Sequence, residues 1–492
     1  LSEASNQREE RETSGAHSVL RGTVLLAGSR ILDRASTFVI VLLIAPRFGA
    51  AGVGAYSTAM AIYGLFTMAG LAGTTNYLVR EISRDKSRTS TYMTHLSVMA
   101  LGLALILLVV MELIVPHLGY SPVVRDCVEI VLLGMPGTVL NGIQEAAFLA
   151  HRRVEFETLT TLVSAITYIG VGAFLMLDHH SVQSLMWTYI ALEYIATIVY
   201  FILISKFIAR LRAAFDRRLA WRLMVEMKTF TASSLVQAVF IRPEVVILSL
   251  MASATQVGYY GAAVRVAELP QFLPEVFMAN VFTLMSAAYP ENEKRFREIQ
   301  AKAVRSMLAF AMPLTALILG AAPGIIHVLF GSRFHRSVDV LRILSLSVLF
   351  ASLMAVYWRS LSARGRQDLV LRVQIEMIAL RLGGGAALIA PFAAIGAAIA
   401  TTVNSAIQML LLIFGAARNG ARTPIIGPTW RLGLAAVACG AVTWLVDDWV
   451  NMWVALPAGA AAYVLAAIVF RAVSAEDREL LARLRSPAAA RS

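Results

Sequence analysis

Apolar runs near or above twenty residues recur along almost the whole chain, separated by short polar joins. About twenty helical residues cover the roughly 30 Å of a bilayer's hydrocarbon core. The pattern therefore predicts about fourteen membrane spans, at 20–46, 53–79, 90–116, 123–150, 157–177, 183–208, 226–251, 257–287, 304–330, 337–362, 368–390, 392–416, 429–446 and 450–471. The expected fold class is an all-α polytopic membrane protein. Residues 1–19 are polar and mixed in charge and are expected to form a disordered cytoplasmic tail, with the first span acting as an uncleaved signal anchor.

Composition supports that reading. The 492 residues are 58% hydrophobic and 15% charged, with a mean hydropathy of +0.69. Soluble domains carry about 25% charged residues. A net charge of +12 could suggest nucleic acid, but its distribution excludes this. Twenty-four Lys and Arg residues fall on one alternating set of loops, among them Arg80, Arg84, Arg152, Arg217, Lys294, Arg364 and Arg418; the opposite set holds Arg47, Arg125, Arg333 and Arg336. By the positive-inside rule the first set, and both termini, face the cytoplasm. The opposite loops are short, so no external domain is available to carry a polymerase or ligase active site.

Cys127 and Cys439 lie in or beside apolar segments and give neither a disulfide framework nor metal-ligand spacing. His179–His180 reads as a solvated turn. No metal and no cofactor is expected.

The first half of the chain echoes the second. VGAYSTAM (Val53–Met60) aligns with VGYYGAAV (Val257–Val264) at an offset of 204 residues, and FLAHRR (Phe148–Arg153) corresponds to LSARGR (Leu361–Arg366). This predicts two six-helix lobes, 20–208 and 226–416, related by an internal repeat and joined by a cytoplasmic linker, 209–225. Two additional helices within 417–471 and a cytoplasmic tail, 472–492, complete the expected organisation. Parallel repeats suit transporters, in which two similar lobes alternate access to a central site.

Ionised groups at bilayer depth cost from about 2.5 to over 10 kcal/mol, so each is a functional candidate. The first span carries GSRILDR, with Arg30, Asp33 and Arg34; Asp33 can reach Arg30 at i,i+3. The seventh carries Arg242 and Glu244 around Pro243. The eighth carries Arg265, Glu268 and Glu275 on one stripe, with Pro270 and Pro274. Glu193, Glu376 and Arg381 lie in other spans, with Asn76, Asn141, Gln144, Asn280 and Asn404 as neutral polar groups. Buried arginines suit phosphate or pyrophosphate, which they grip through paired hydrogen bonds. The carboxylates suit H⁺ or Na⁺ coupling, and packing ion pairs are the structural alternative for Arg30–Asp33 and Arg265–Glu268.

These motifs in order resemble the multidrug/oligosaccharidyl-lipid/polysaccharide exporter superfamily, and within it the polysaccharide branch of lipid-linked oligosaccharide flippases. The stretches carrying the resemblance are Gly52–Lys86, ending in LVREI, then Val246–Phe277, Val328–Phe350, Leu361–Gln367 and Ile389–Val403. The related lipid II flippases offer a residue-level comparison. Ser29-Arg30-Ile31-Leu32 resembles their first-helix stretch, and Ala263-x-Arg265-x-x-Glu268-x-Pro270 their eighth-helix pattern. The resemblance thus implies a cavity role for Arg30, Arg265 and Glu268. A second first-helix arginine of that family falls at Ser36 here, with Arg34 a loose substitute, and the second-helix arginine has no counterpart. This points to a glycan other than lipid II.

The resemblance implies a non-enzymatic flippase. It would translocate an undecaprenyl-pyrophosphate-linked oligosaccharide from the cytoplasmic to the outer leaflet for O-antigen, capsule or exopolysaccharide assembly. Arg30, Arg34, Arg242, Arg265 and Glu268 would bind substrate, and Asp33, Glu244 and Glu275 are the ion-coupling candidates. Membrane lipids, a polysaccharide polymerase and chain-length proteins are the expected partners, and no nucleic acid is. The alternative is an ion-coupled multidrug exporter, which predicts twelve spans and an acidic cavity for organic cations. A membrane-embedded glycosyltransferase would need a large external loop, and a scaffold would tolerate neutralised arginines.

Overall fold

The computed structural model describes residues 2–210, 215–240, 242–420 and 426–470. The helices are α1 (Ser2–Leu71), α2 (Thr74–Arg84), α3 (Thr89–Ile114), α4 (Pro122–Leu132), α5 (Met135–Ala150), α6 (Val154–Leu177) and α7 (Val182–Phe207). There follow α8 (Arg217–Val239), α9 (Pro243–Met251), α10 (Ala254–Glu268), α11 (Phe272–Ala288), α12 (Glu293–Gly320) and α13 (Ala322–Phe330). The last are α14 (Ser337–Ala363), α15 (Gln367–Ala379), α16 (Gly385–Arg418), α17 (Ile426–Trp449) and α18 (Met452–Val469). The chain is an all-α, multi-pass membrane protein. Among the described residues, nine helical stretches are long and apolar enough to cross a bilayer. Two of these contain a kink where two helices meet, at Gly49 (φ 60°) and at Ala393 (φ 48°). With the bent pair α8–α9 and the interrupted helices α4–α5 and α10–α11, the architecture is consistent with the fourteen expected crossings.

Several spans expected as continuous helices are broken. The 53–79 span stops at Leu71, where Ala72 (φ 44°) and Gly73 (φ 76°) turn the chain before α2. A break at membrane depth exposes carbonyls that must find donors. Thr74 Oγ1 donates to Leu71 O at 2.6 Å and Thr231 Oγ1 to Ala72 O at 2.9 Å. The 123–150 span breaks at Leu133–Gly134, and Tyr194 Oη donates to the Leu133 carbonyl at 2.7 Å. Pro243 starts α9, interrupting 226–251, because proline cannot donate to the preceding turn. A 3₁₀ turn over Leu269–Gln271, containing Pro270, splits 257–287 into α10 and α11.

By contact, the chain divides into two compact units, Leu1–Gly258 and Tyr259–Ser492. In the first, α1 packs on α4 and α6, and α5 on α2, α3 and α7. Glycines permit the close approaches usual in membrane bundles, Gly172 against Ile40 and Gly142 against Leu71. The Arg47 guanidinium donates to the Met176 carbonyl at 2.8 Å, tying α1 to the end of α6. In the second unit, α14 packs on α12 and α16, while α17 and α18 form a hairpin on α12. That hairpin meets α12 through Gly320, Gly440, Gly459 and Thr443, and Tyr463 Oη donates to the Ala309 carbonyl at 2.9 Å. Large apolar side chains such as Leu113, Phe174, Ile198 and Leu465 point outward, as lipid-facing residues do.

Both cysteines are free and buried. His179 and His180 form an exposed turn, with His180 Nε2 3.2 Å from Asp178 Oδ2. Glu376 meets Arg372 at 2.8 Å on an exposed face, a local i,i+4 pair. Residues 472–492 lie outside the described residues.

Candidate functional site

Five of the eight charged candidates stand at helix breaks. Arg242 occupies the N-cap of α9 with φ −159° and ψ 55°, half-buried, directly before Pro243. Glu244 follows in the first turn and is 5% exposed. A carboxylate there meets the unpaired N–H groups and positive dipole end of its own helix. At the second break, Arg265 and Glu268 lie half-buried in the last turn of α10, and Glu275 is exposed in the first turn of α11. A cation suits a helix C-terminus, as an anion suits an N-terminus. Interrupted helices of this kind carry substrate and ion sites in many transporters, because their ends supply partial charges inside the bilayer. Arg34 is exposed on α1, where its backbone carbonyl accepts from Thr37 Oγ1 at 2.9 Å. The side chains of Arg30 and Asp33 lie outside the described residues.

A second constellation lies within the first unit. A cavity of 340 Å³ is lined by Glu145 of α5, Glu157 of α6 and Glu193 of α7, with Asn141 and Ser36. Glu193 stands mid-helix and accepts on Oε2 from Thr138 Oγ1 and from Asn141 Nδ2, both at 2.8 Å. The Asn141 amide also reaches the Glu193 backbone carbonyl at 3.1 Å, and Tyr63 Oη hydrogen-bonds Thr138 in turn. Glu193, Asn141 and Ser36 drew notice in the sequence; Glu145 and Glu157 did not. Each stands within a turn or two of the basic pair Arg152–Arg153, where a carboxylate reads as ordinary interfacial charge. The available signal was helical spacing: Asn141 and Glu145 are i,i+4, as are Glu157 and Thr161, so each pair shares a face.

Comparison with known proteins gives this geometry a context. A Haloferax volcanii protein named as a low-salt glycan biosynthesis flippase is 25% identical over 169 residues, 34% of this chain, and the match spans 36% of that relative. A Shigella flexneri protein named as an O-antigen transporter is 22% identical over 381 residues, covering 74% of this chain and 89% of that protein. Among solved structures, the lipid II flippase MurJ in its inward closed conformation aligns with a TM-score of 0.75 at 17% identity, over 92% of this chain and 99% of that one. An inward-facing multidrug resistance MATE family transporter aligns with a TM-score of 0.66 at 14% identity, over 79% and 95%. At such identities these two likenesses speak for the fold alone. The profile of the polysaccharide biosynthesis protein family matches residues 47–339, more than half of the sequence, and the chain belongs to that family.

Proposed function

We propose that the protein is a flippase that moves an undecaprenyl-pyrophosphate-linked oligosaccharide from the cytoplasmic to the outer leaflet by alternating access, for O-antigen, capsule or exopolysaccharide assembly. The observation that carries this reading is the family match across residues 47–339, joined to arginines that stand at interrupted helices. Arg265 and Arg242, with Arg30 and Arg34, hold the pyrophosphate and the first sugar, and Glu268 orients Arg265. A guanidinium presents two parallel donors to phosphate oxygens, and in low dielectric such a bond outweighs its aqueous counterpart. The polyprenyl tail stays among lipids while the head group crosses. No bond is broken, so the protein is not an enzyme, and direction requires a gradient or a difference in affinity between the two states. Asp33, Glu244 and Glu275 are candidates for H⁺ or Na⁺ coupling.

The excess of basic loops supports an inner-membrane orientation with both termini cytoplasmic. A polysaccharide polymerase and chain-length proteins would act on the product at the outer face.

The test uses cells lacking the protein, complemented with wild type, Arg30→Ala or Arg265→Ala, and assigns lipid-linked glycans to a leaflet by impermeant labelling. The reading expects one glycan to accumulate facing the cytoplasm in the null strain and in both variants. Unchanged glycan sidedness combined with retention of cationic drugs would replace it with the exporter reading.

A further inference from the structure

Several arginines on the basic loops hold acidic partners. Arg84 reaches Glu81, Arg88 reaches Asp85, Arg153 reaches Glu155 and Arg366 reaches Asp368, at 3.1 to 3.5 Å. Arg217, Arg218 and Arg222, on the first two turns of α8, differ. Among the described residues, their guanidinium groups meet no carboxylate and no hydrogen-bond acceptor. The helix they stand on faces two ways. Ala220, Leu223 and Met227 are buried, whereas Trp221, Met224 and Val225 form an exposed apolar stripe at i, i+3 and i+4. An aromatic and apolar stripe directly after a run of cations is the pattern of a helix entering a bilayer through its headgroup layer.

Cations at a helix start mark where it meets water, but two of these also line a cavity. It measures 1010 Å³ and lies between α3 and α8, bounded by Met99, Phe215, Arg217, Arg218, Trp221 and Met224. Its lining thus joins two guanidinium groups to apolar and aromatic surface, the two chemistries that meet a phospholipid's phosphate and its acyl chain. A buried histidine holds this arrangement in place. His95 of α3 is 1% exposed, with Nδ1 2.7 Å from the Thr91 carbonyl and Nε2 2.8 Å from the backbone N of Asp216. The carbonyl can only accept and the N–H can only donate, so the ring carries its hydrogen on Nδ1 and accepts on Nε2. The same ring stacks on Phe215, centroids 5.1 Å apart. A residue deep in α3 therefore fixes Phe215 and Asp216, directly before Arg217.

We propose that this cavity binds the headgroup of an anionic phospholipid, in the leaflet on the side of the basic loops. Arg217 and Arg218 hold its phosphate, and an acyl chain runs along Trp221 and Met224. Guanidinium groups offer parallel donors to phosphodiester oxygens, and the headgroup layer screens them less than bulk water does. The acidic groups nearby are already engaged. Asp216 Oδ1 accepts from the backbone N–H of Arg218 at 2.8 Å, and Glu226 Oε2 accepts from Tyr77 Oη at 2.6 Å. Charge complementarity therefore favours an anion, and the apolar stripe beside it favours a lipid over a free phosphate. The occupant is a lipid of the surrounding bilayer and not the cargo, so the inference stands apart from the flippase reading.

The measurement uses the purified full-length chain in phosphatidylcholine vesicles. Electron paramagnetic resonance compares its association with spin-labelled phosphatidylglycerol and spin-labelled phosphatidylcholine. Wild type should prefer the anionic lipid, by about fivefold for each arginine engaged. Arg217→Gln/Arg218→Gln should remove most of that preference. Arg84→Gln/Arg88→Gln, which removes the same charge from the same side, should keep it. His95→Ala should weaken the preference, and His95→Gln, whose side-chain carbonyl can accept from the Asp216 N–H, should restore it. If the first double variant fails to fold, Arg217→Gln alone takes its place and should lose one such factor. Equal loss in the two double variants would reduce the effect to diffuse surface charge and overturn the proposal, as would a wild type without preference. Displacement of the labelled lipid by millimolar glycerol phosphate would assign the site to a free phosphate. Stronger retention of undecaprenyl phosphate than of phosphatidylglycerol would assign it to cargo, and either result also overturns the proposal. No glycan enters these readouts, so the flippase reading can fail without touching them.

Discussion

Gly54 packs against the carbonyl of Ala254, and Gly258 packs against the carbonyl of Ala50. Each glycine is 204 positions from the other, and so is each alanine, so the two contacts are exchanged by the repeat itself. The segments Ala50–Gly54 and Ala254–Gly258 touch reciprocally, backbone on backbone. A Cβ on either glycine would overlap a main-chain oxygen, which cannot swing aside as a side chain would. Overpacking of this kind costs about 1–3 kcal/mol, more than the roughly 1 kcal/mol a helix gains from Gly→Ala. Gly54→Ala and Gly258→Ala should each lower the unfolding temperature in detergent. Because either one alone already forces the helices apart, the double variant should lose less than the sum. Strict additivity would show that the two contacts yield separately.

The kinks at Gly49 and Ala393 use positive φ, but only one of them has a residue suited to it. Gly49 (φ 60°, ψ −159°) occupies a region reserved for glycine, and a Cβ there would meet nothing within 4 Å. Any cost of Gly49→Ala is therefore conformational, about 1–3 kcal/mol. Ala393 (φ 48°, ψ −119°) bears that strain already. Ala393→Gly should raise stability by about 1 kcal/mol, since relief of the strain exceeds the added freedom of the unfolded chain. Thermal unfolding of the two variants should shift in opposite directions.

The fold was legible in the sequence wherever a single residue type dictates the backbone. Pro243 and Pro270 stood out in the sequence, and although their spans were expected as continuous, the breaks at α9 and after α10 fall on them because proline lacks the donor a continuous helix needs. The breaks at Ala72–Gly73 and Leu133–Gly134 were not legible. A hydropathy window averages over about twenty residues and passes over a two-residue turn. Their stabilising donors, Thr231 and Tyr194, are also remote in sequence. The site divides in the same way. Arg265 and Glu268 announce themselves as charges inside an apolar run, whereas Glu145 and Glu157 lie near basic helix ends and gain meaning only when three helices bring them to one cavity with Glu193.

Asp447, at the end of α17, accepts from the backbone N–H of Gly324 at 3.1 Å. It thereby caps the N-terminus of α13 from another helix and ties the C-terminal hairpin to the break after Gly320. Loss of a capping carboxylate costs about 0.5–2 kcal/mol, part of it from the helix dipole. Asp447→Ala should lower stability by that amount and hasten protease cleavage between α17 and α18. Asp447→Asn, which still accepts, should recover most of the loss.

His151, between α5 and α6, has its Nε2 2.9 Å from Thr89 Oγ1. Burial holds the imidazole below its ordinary pKa, and the Lys86 ammonium adds to the effect. Above about pH 6.5 the ring is neutral in both folded and unfolded chains and contributes no pH dependence. Between that value and the lower folded one, the unfolded chain binds a proton that the folded chain refuses, so stability falls with acidification. His151→Gln should lose less thermal stability than wild type between about pH 7.5 and about pH 5.5. Equal losses would place the acid sensitivity elsewhere.

The proposed grip on pyrophosphate depends on geometry as well as charge, and Arg265 separates the two. It is half-buried in the last turn of α10, where the helix dipole already favours a cation. Lysine keeps the charge and the dipole interaction but offers a single point of contact in place of two parallel donors. If the guanidinium binds phosphate through both, Arg265→Lys should slow glycan translocation about tenfold, the equivalent of one charge-assisted hydrogen bond. Arg265→Gln, which loses the charge too, should abolish it. If the residue serves only as an ion-pair partner that orients Glu268, lysine should restore full activity, and Glu268→Gln should be as damaging as Arg265→Gln. Leaflet assignment of the lipid-linked glycan in cells carrying each variant distinguishes a phosphate ligand from a packing pair.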